Sequence, residues 1–176
     1  MERLLYLAYG SNLHPVRLRE RVPSARLLGV VGLTGWALRF HKRSEVDGSG
    51  KCNLLFTASD GHRAYGAVYE LDAAQRPALD AAEGAGYRRK PVAVELDGRC
   101  LHPFAYLAEP AFIDEDLAPF AWYKALVMHG ARFQGLPSDY VAAIEAIRAQ
   151  GDPDAERRRR NAATLEAINA YRPSPD

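Results

Sequence analysis

The sequence predicts an α+β fold, and three observations carry that prediction. Strand-like runs dominate the first hundred residues, helical stretches fill most of the remainder, and the helix signals are inserted or appended rather than alternating with each strand. A length of 176 residues with 48% hydrophobic and 26% charged residues suits one domain, spanning 1–176, with a proper core.

An apolar and aromatic run through Leu4–Tyr9 reads as a buried strand that breaks at Gly10-Ser11-Asn12, and Pro15 then opens a helix that Ser11 or Asn12 can cap. Arg26–Leu33 and Trp36–His41 are strands separated by Thr34-Gly35, and Cys52–Thr57 comes after a polar loop at Ser44–Lys51. Ala64–Leu71 comes after an Asp60-Gly61 turn. Asp72 with Gln75 forms an N-terminal cap for a helix whose first turn is set apart by Pro77 and which stops at Gly84. Pro91–Leu96 and Arg99–Leu107 flank Asp97-Gly98, the strongest short hairpin signal in the chain. Helices are expected over about Asp116–Gly130, Ser138–Gln150 and Asp154–Tyr171, the last two parted by Gly151-Asp152-Pro153. A short biased tail, Pro173–Asp176, ends the chain.

Several function classes are set aside by composition. A net charge of +1 gives no reason to expect nucleic acid as a partner. No apolar run approaches the roughly 20 residues that span a bilayer, and nothing resembles a signal peptide, so a cytoplasmic protein away from membranes is expected. Cys52 and Cys100 both fall in strand-like segments and read as buried thiols. His14, His41, His62, His102 and His129 lie far apart with no metal-ligand spacing, so no metal is expected. Gly48-Ser49-Gly50-Lys51 lacks the first glycine and the hydroxyl of a phosphate-binding loop, and reads as a flexible loop able to cover a site. Cys100-Leu101-His102 places a thiol and an imidazole on one strand face without a third partner, which chance explains better than catalysis. Arg157–Arg160 point all round a helix, build no single binding stripe and read as a solvated face.

Two constellations carry chemistry. The strand, glycine turn and helix start over Tyr9–Asn12 aim backbone N–H groups at one point, a nest suited to a carboxylate or oxyanion. Glu83 stands in the last turn of its helix, where the macrodipole disfavours its charge by about 0.3–1 kcal/mol. Asp80, three residues earlier on the same face, adds a second negative neighbour. Both effects raise its pKa, and partial burial raises it further, toward the range that proton shuttling requires.

The string Tyr6-Leu7-Ala8-Tyr9-Gly10-Ser11-Asn12-Leu13 resembles the opening of the gamma-glutamylcyclotransferase family. Leu79-Asp80-Ala81-Ala82-Glu83-Gly84 is similar to the segment carrying that family's catalytic glutamate, and Tyr87 comes after it as a family tyrosine does. Pro23-Ser24-Ala25, Tyr123-Lys124 and Gly135-Leu136-Pro137 with Tyr140 are similar too; the helix and tail after Gly151 are not covered. Related cyclotransferases acting on glutathione or on gamma-glutamylamines carry a Tyr-Gly-Ser-Leu or Tyr-Gly-Thr-Leu variant, which this chain lacks. The resemblance implies a small closed mixed β-barrel with inserted and peripheral helices. It also implies conversion of an L-gamma-glutamyl amide to 5-oxoproline and a free amine, without cofactor. Glu83 is then the catalytic acid-base, and Tyr6, Leu7, Ala8, Tyr9, Gly10, Ser11, Asn12, Tyr87 and Tyr123 form the substrate site. Two other readings stay open: a tailoring enzyme acting on another gamma-glutamylated metabolite, and a catalytically silent binding module on the same fold.

Overall fold

A computed structural model describes residues 2–173; the end of the tail, Ser174–Asp176, lies outside the described residues, as does Met1. Nine strands and five helices are present among them. The strands are β1 (Arg3–Ala8), β2 (Arg26–Thr34), β3 (Trp36–Arg43), β4 (Gly50–Phe56), β5 (Arg63–Asp72), β6 (Tyr87–Pro91), β7 (Val94–Leu96), β8 (Arg99–Leu101) and β9 (Phe104–Ala108). The helices are α1 (Pro15–Arg19), α2 (Arg76–Glu83), α3 (Ala121–Phe133), α4 (Ser138–Ala146) and α5 (Ala155–Ala170).

The main sheet runs β2-β5-β1-β9-β6, with β3-β4 and β7-β8 as separate two-stranded ribbons. All pairings are antiparallel except β1 with β9. The hydrogen-bonded ladder does not close on itself, so the expected closed barrel gives way to an open mixed sheet with β2 and β6 as its edges. The α+β class stands. Because β1 lies mid-sheet, Tyr6, Leu7 and Ala8 are all buried, which accounts for a continuous apolar run rather than an alternating one. The core gathers Leu18 and Val22 at α1, Tyr69 and Leu71 of β5, Leu79 of α2 and Val127 of α3 around it.

Other departures from expectation have local causes. His14, not Ser11 or Asn12, caps α1: its Nδ1 accepts from the Val16 N–H at 3.2 Å. Thr34-Gly35 joins β2 to β3 without pairing them, for β2 lies on β5 and β3 on β4. The polar run Tyr87–Pro91 forms edge strand β6, whose exposed residues left no apolar signal. Pro103 interrupts the expected Arg99–Leu107 strand, and Pro119 delays the third helix to Ala121. The Asp97-Gly98 hairpin is as expected, both residues having positive φ (51° and 72°). Asp72 caps a separate 3₁₀ turn, Ala73–Gln75, ahead of α2. Cys52 is buried as expected, but Cys100 is exposed because β8 belongs to the peripheral ribbon.

Candidate active site

Strand order brings Tyr6 on β1, Tyr106 on β9 and Tyr87 on β6 to one end of the sheet, beside the turn that ends β1. The C-terminus of α2 delivers Glu83 to the same place, β4 contributes Cys52 and α3 contributes Tyr123. These residues, with Tyr9, Gly10, Ser11 and Asn12, enclose an inner chamber of about 20 Å³. Ser11, Glu83, Tyr87 and Tyr123 also face an outer cleft of about 370 Å³. Of the expected site residues, only Leu7 and Ala8 stay away from both cavities, packed wholly in the core.

Glu83 is held by one oxygen. Asn12 Nδ2 donates to its Oε1 at 2.7 Å, and Arg21 Nη1 lies 3.4 Å from the same atom. Arg21 also donates to Asn12 Oδ1 at 2.9 Å, while Asn12 Nδ2 reaches Tyr6 OH at 3.1 Å. Asn12 therefore positions the carboxylate rather than capping a helix. Among the described residues Oε2 has no partner, and neither do the N–H groups of Gly10, Ser11 and Asn12. Burial raises the Glu83 pKa, opposed by Arg21, Asn12, Lys42 and Arg17. Burial is the leading cause, and the expected negative neighbour is otherwise engaged. Asp80 accepts from Tyr106 OH at 2.6 Å and meets Arg89 at 3.3 Å.

The tyrosines stay neutral, since burial pushes Tyr6, Tyr87, Tyr106 and Tyr123 well above the usual phenol value. They shape and rigidify the wall. Tyr87 OH donates to Cys52 O at 2.5 Å, and the Cys52 N–H donates to Tyr123 OH at 3.0 Å. Gly10 is required there by close approach, because a Cβ would stand 2.9 Å from Cys52 Cβ.

Sequence reasoning missed Arg21, Lys42, Cys52 and Tyr106, each an ordinary residue in a helix end or strand until the fold assembles it. It also misread α5. Arg157 and Arg160 line the outer cleft together with Asn161 and Thr164. These positions are spaced i, i+3, i+4 and i+7, so one face of the helix does present a stripe. The Ser44–Lys51 loop supplies Ser44, Val46, Asp47 and Lys51 to the cleft wall. Among the described residues no three His, Cys, Asp or Glu side chains gather as a metal site, and no helix is long and apolar enough to cross a membrane.

Comparison with known proteins accords with this geometry. The AIG2-like family matches residues 63–144. Human gamma-glutamylcyclotransferase is 30% identical over 155 residues, covering 83% of this chain and 79% of the human protein. The chain belongs to the gamma-glutamylcyclotransferase family. The mouse gamma-glutamylcyclotransferase is likewise 30% identical, over the same shares of both chains. A solved gamma-glutamyl cyclotransferase structure superposes with a TM-score of 0.78 at 26% identity, covering 92% of this chain and 99% of that one. A structure titled as an uncharacterized human protein reaches 0.75 at 28% identity, covering 96% and 99%. The gamma-glutamylcyclotransferase fold thus accounts for the α+β arrangement of sheets and helices around the chamber.

Proposed function

We propose that this chain is a gamma-glutamyl cyclotransferase that converts an L-gamma-glutamyl amide to 5-oxoproline and a free amine. The observation that carries this reading is Glu83, anchored through Oε1 alone at the junction of a tyrosine-walled chamber and an open cleft.

The reaction is intramolecular. The substrate's α-nitrogen attacks its own γ-carbonyl carbon, the new C–N bond closes a five-membered lactam, and the amide C–N bond to the leaving amine breaks. Two protons leave the α-nitrogen and two arrive on the leaving nitrogen, so the balance needs neither water nor an external reagent. Glu83 Oε2 takes each proton from the α-nitrogen and returns it to the leaving nitrogen, and a raised pKa suits both halves of that task. Asn12 and Arg21 keep the other oxygen fixed, which limits the carboxylate to this path.

A chamber of about 20 Å³ has room for little more than one water-sized group. It therefore receives an oxygen of the substrate, the developing oxyanion or an α-carboxylate oxygen, beside the N–H groups of Gly10, Ser11 and Asn12. The body of the substrate lies at the floor of the outer cleft. Holding the glutamyl chain folded for attack lowers the barrier by roughly 7–11 kcal/mol. Incubation with a panel of gamma-glutamyl amino acids and amides, with 5-oxoproline detected by mass spectrometry, tests the reading. Formation of 5-oxoproline from at least one compound is expected. Binding without turnover across the panel would instead make the chain a silent module.

A further inference from the structure

The outer cleft has a charge pattern that cyclisation itself does not use. Six of its lining side chains are cations, three from the N-terminal half of the site (Arg17, Arg21, Lys42) and three from Lys51, Arg157 and Arg160. Only two lining carboxylates accompany them, and each already meets a cation. Glu83 is held by Asn12 and Arg21, while Asp47 accepts from Lys51 Nζ at 2.7 Å and from Ser49. The remaining acids that pair with this wall, Glu20 on Arg17, Asp152 and Asp154 on Arg157 and Glu156 on Arg160, are not among the groups lining the cleft.

Three of the lining cations keep donor capacity that the described residues leave unused. Lys42 is only 3% exposed and meets no carboxylate within salt-bridge distance among the described residues. Its ammonium donates to Ala85 O at 2.6 Å and sits 4.5 Å from the centre of the Tyr87 ring. Arg17 Nε is buried without an acceptor among the described residues, although the residue lines the cleft. Arg160 is 68% exposed, with its one acidic neighbour a helical pair at 3.6 Å that holds it weakly. Lys51 and Arg157 crowd the same Phe120 ring at 5.7 and 5.4 Å, and Arg157 disfavours the charge on Lys51. Lys51 and Arg157 are ion-paired with Asp47 and Asp152, so Lys42, buried without a carboxylate among the described residues, and Arg160, weakly held, are the cations that a bound anion would satisfy.

Resting on the cyclotransferase reading, we infer that the leaving group is an amine bearing at least two carboxylates, an acidic amino acid or short acidic peptide. Its first carboxylate meets Lys42, and its second meets the exposed Arg160. This goes beyond the family's general chemistry, because a gamma-glutamyl amide of a neutral amino acid would leave Arg160 with only its weak helical partner.

An isosteric pair of substrates tests it: gamma-glutamyl-glutamate against gamma-glutamyl-glutamine, which differ by one negative charge at nearly constant shape. The wild-type chain is expected to favour the glutamate compound in kcat/KM by about tenfold or more, as hydrogen bonds to charged groups would give. The preference should shrink as ionic strength rises. Arg160→Gln, an exposed change remote from Glu83, should reduce the ratio, and Lys42→Met should lower kcat/KM for both compounds. A ratio at or below one in the wild type, or a ratio unmoved by salt and by Arg160→Gln, overturns the inference while leaving cyclisation intact. Absence of 5-oxoproline from either compound and from neutral gamma-glutamyl amides overturns the cyclotransferase reading, and the inference with it.

Discussion

Replacing Glu83 by Gln separates the proton relay from every other contribution of the site. The amide keeps the shape of the carboxyl and can present its oxygen to Asn12 Nδ2 and Arg21 as Oε1 does now, at 2.7 and 3.4 Å. What it cannot do is take a proton from the substrate's α-nitrogen. Loss of a general acid-base group costs about 10²–10⁴-fold in rate, or roughly 3–5 kcal/mol of barrier. The loss should fall on kcat with KM little changed, because the glycine turn and the tyrosines are untouched. The wild-type profile should show an acid limb above the ordinary carboxylate range, since burial raises the Glu83 pKa, and the residual activity of the variant should lack that limb.

Stability supplies an independent reading of the same substitution. Between its unfolded and folded pKa values, Glu83 holds a proton in the native state that the unfolded chain has released. Its favourable contribution is therefore complete below the unfolded value and is lost as pH rises through the folded one. Glu83→Gln does not titrate, so its melting temperature relative to wild type should climb as pH rises from the ordinary carboxylate value through the raised native one. Steady-state assays of 5-oxoproline formation and thermal melts across that range measure both effects. Near-wild-type kcat with the acid limb intact would refute the assignment of the relay. A melting difference that moved the opposite way would refute the claim that burial governs this carboxyl.

Gly10→Ala should impair turnover without a change of fold class, because its Cβ would meet Cys52 Cβ at 2.9 Å and push β4 away from the turn; kinetics with circular dichroism check it. The cause is close approach, since Gly10 is not among the glycines with positive φ. Tyr123→Phe should destabilise the chain by about 1–3 kcal/mol in chemical denaturation, for the buried Cys52 N–H loses its acceptor. A thiol reagent should label Cys100 at once and Cys52 only on unfolding, because Cys52 is buried with its pKa pushed up to about 12.

The parts of the site legible in the sequence were those written in consecutive residues. The break at Gly10 after a buried strand, and Glu83 before a helix-stopping glycine, are local events, and both sit at the chamber. The ranking of causes was not legible even there: burial, which the sequence only adds to the helix end and Asp80, leads the perturbation of Glu83, and Asp80 faces Tyr106 instead. Arg21 carried no mark among the alternating charges of its segment, yet it reaches both Asn12 and Glu83. Lys42 looked like one more charge in a strand. Sheet order was equally hidden, since β1 pairs with β5 and β9, partners more than fifty residues away.

The Arg157–Arg160 run shows how a sound local argument can stop short of the site. Four consecutive side chains do radiate around α5, and an isolated amphipathic reading finds no face. The face appears only when Asn161 and Thr164 are counted with Arg157 and Arg160, and when the helix is anchored. That anchor is Asp152, buried in the break before α5, where it takes Arg157 Nε and Nη2 at 2.6 Å each and Trp122 Nε1 at 2.8 Å. Its carboxyl is held well below the usual range by Arg157, so the clamp persists wherever the site would work near neutral pH. The segment outside the family resemblance therefore walls the cleft, and, by the inference of an acidic leaving group, its Arg160 bears on which amine the cleft accepts rather than on how the lactam closes.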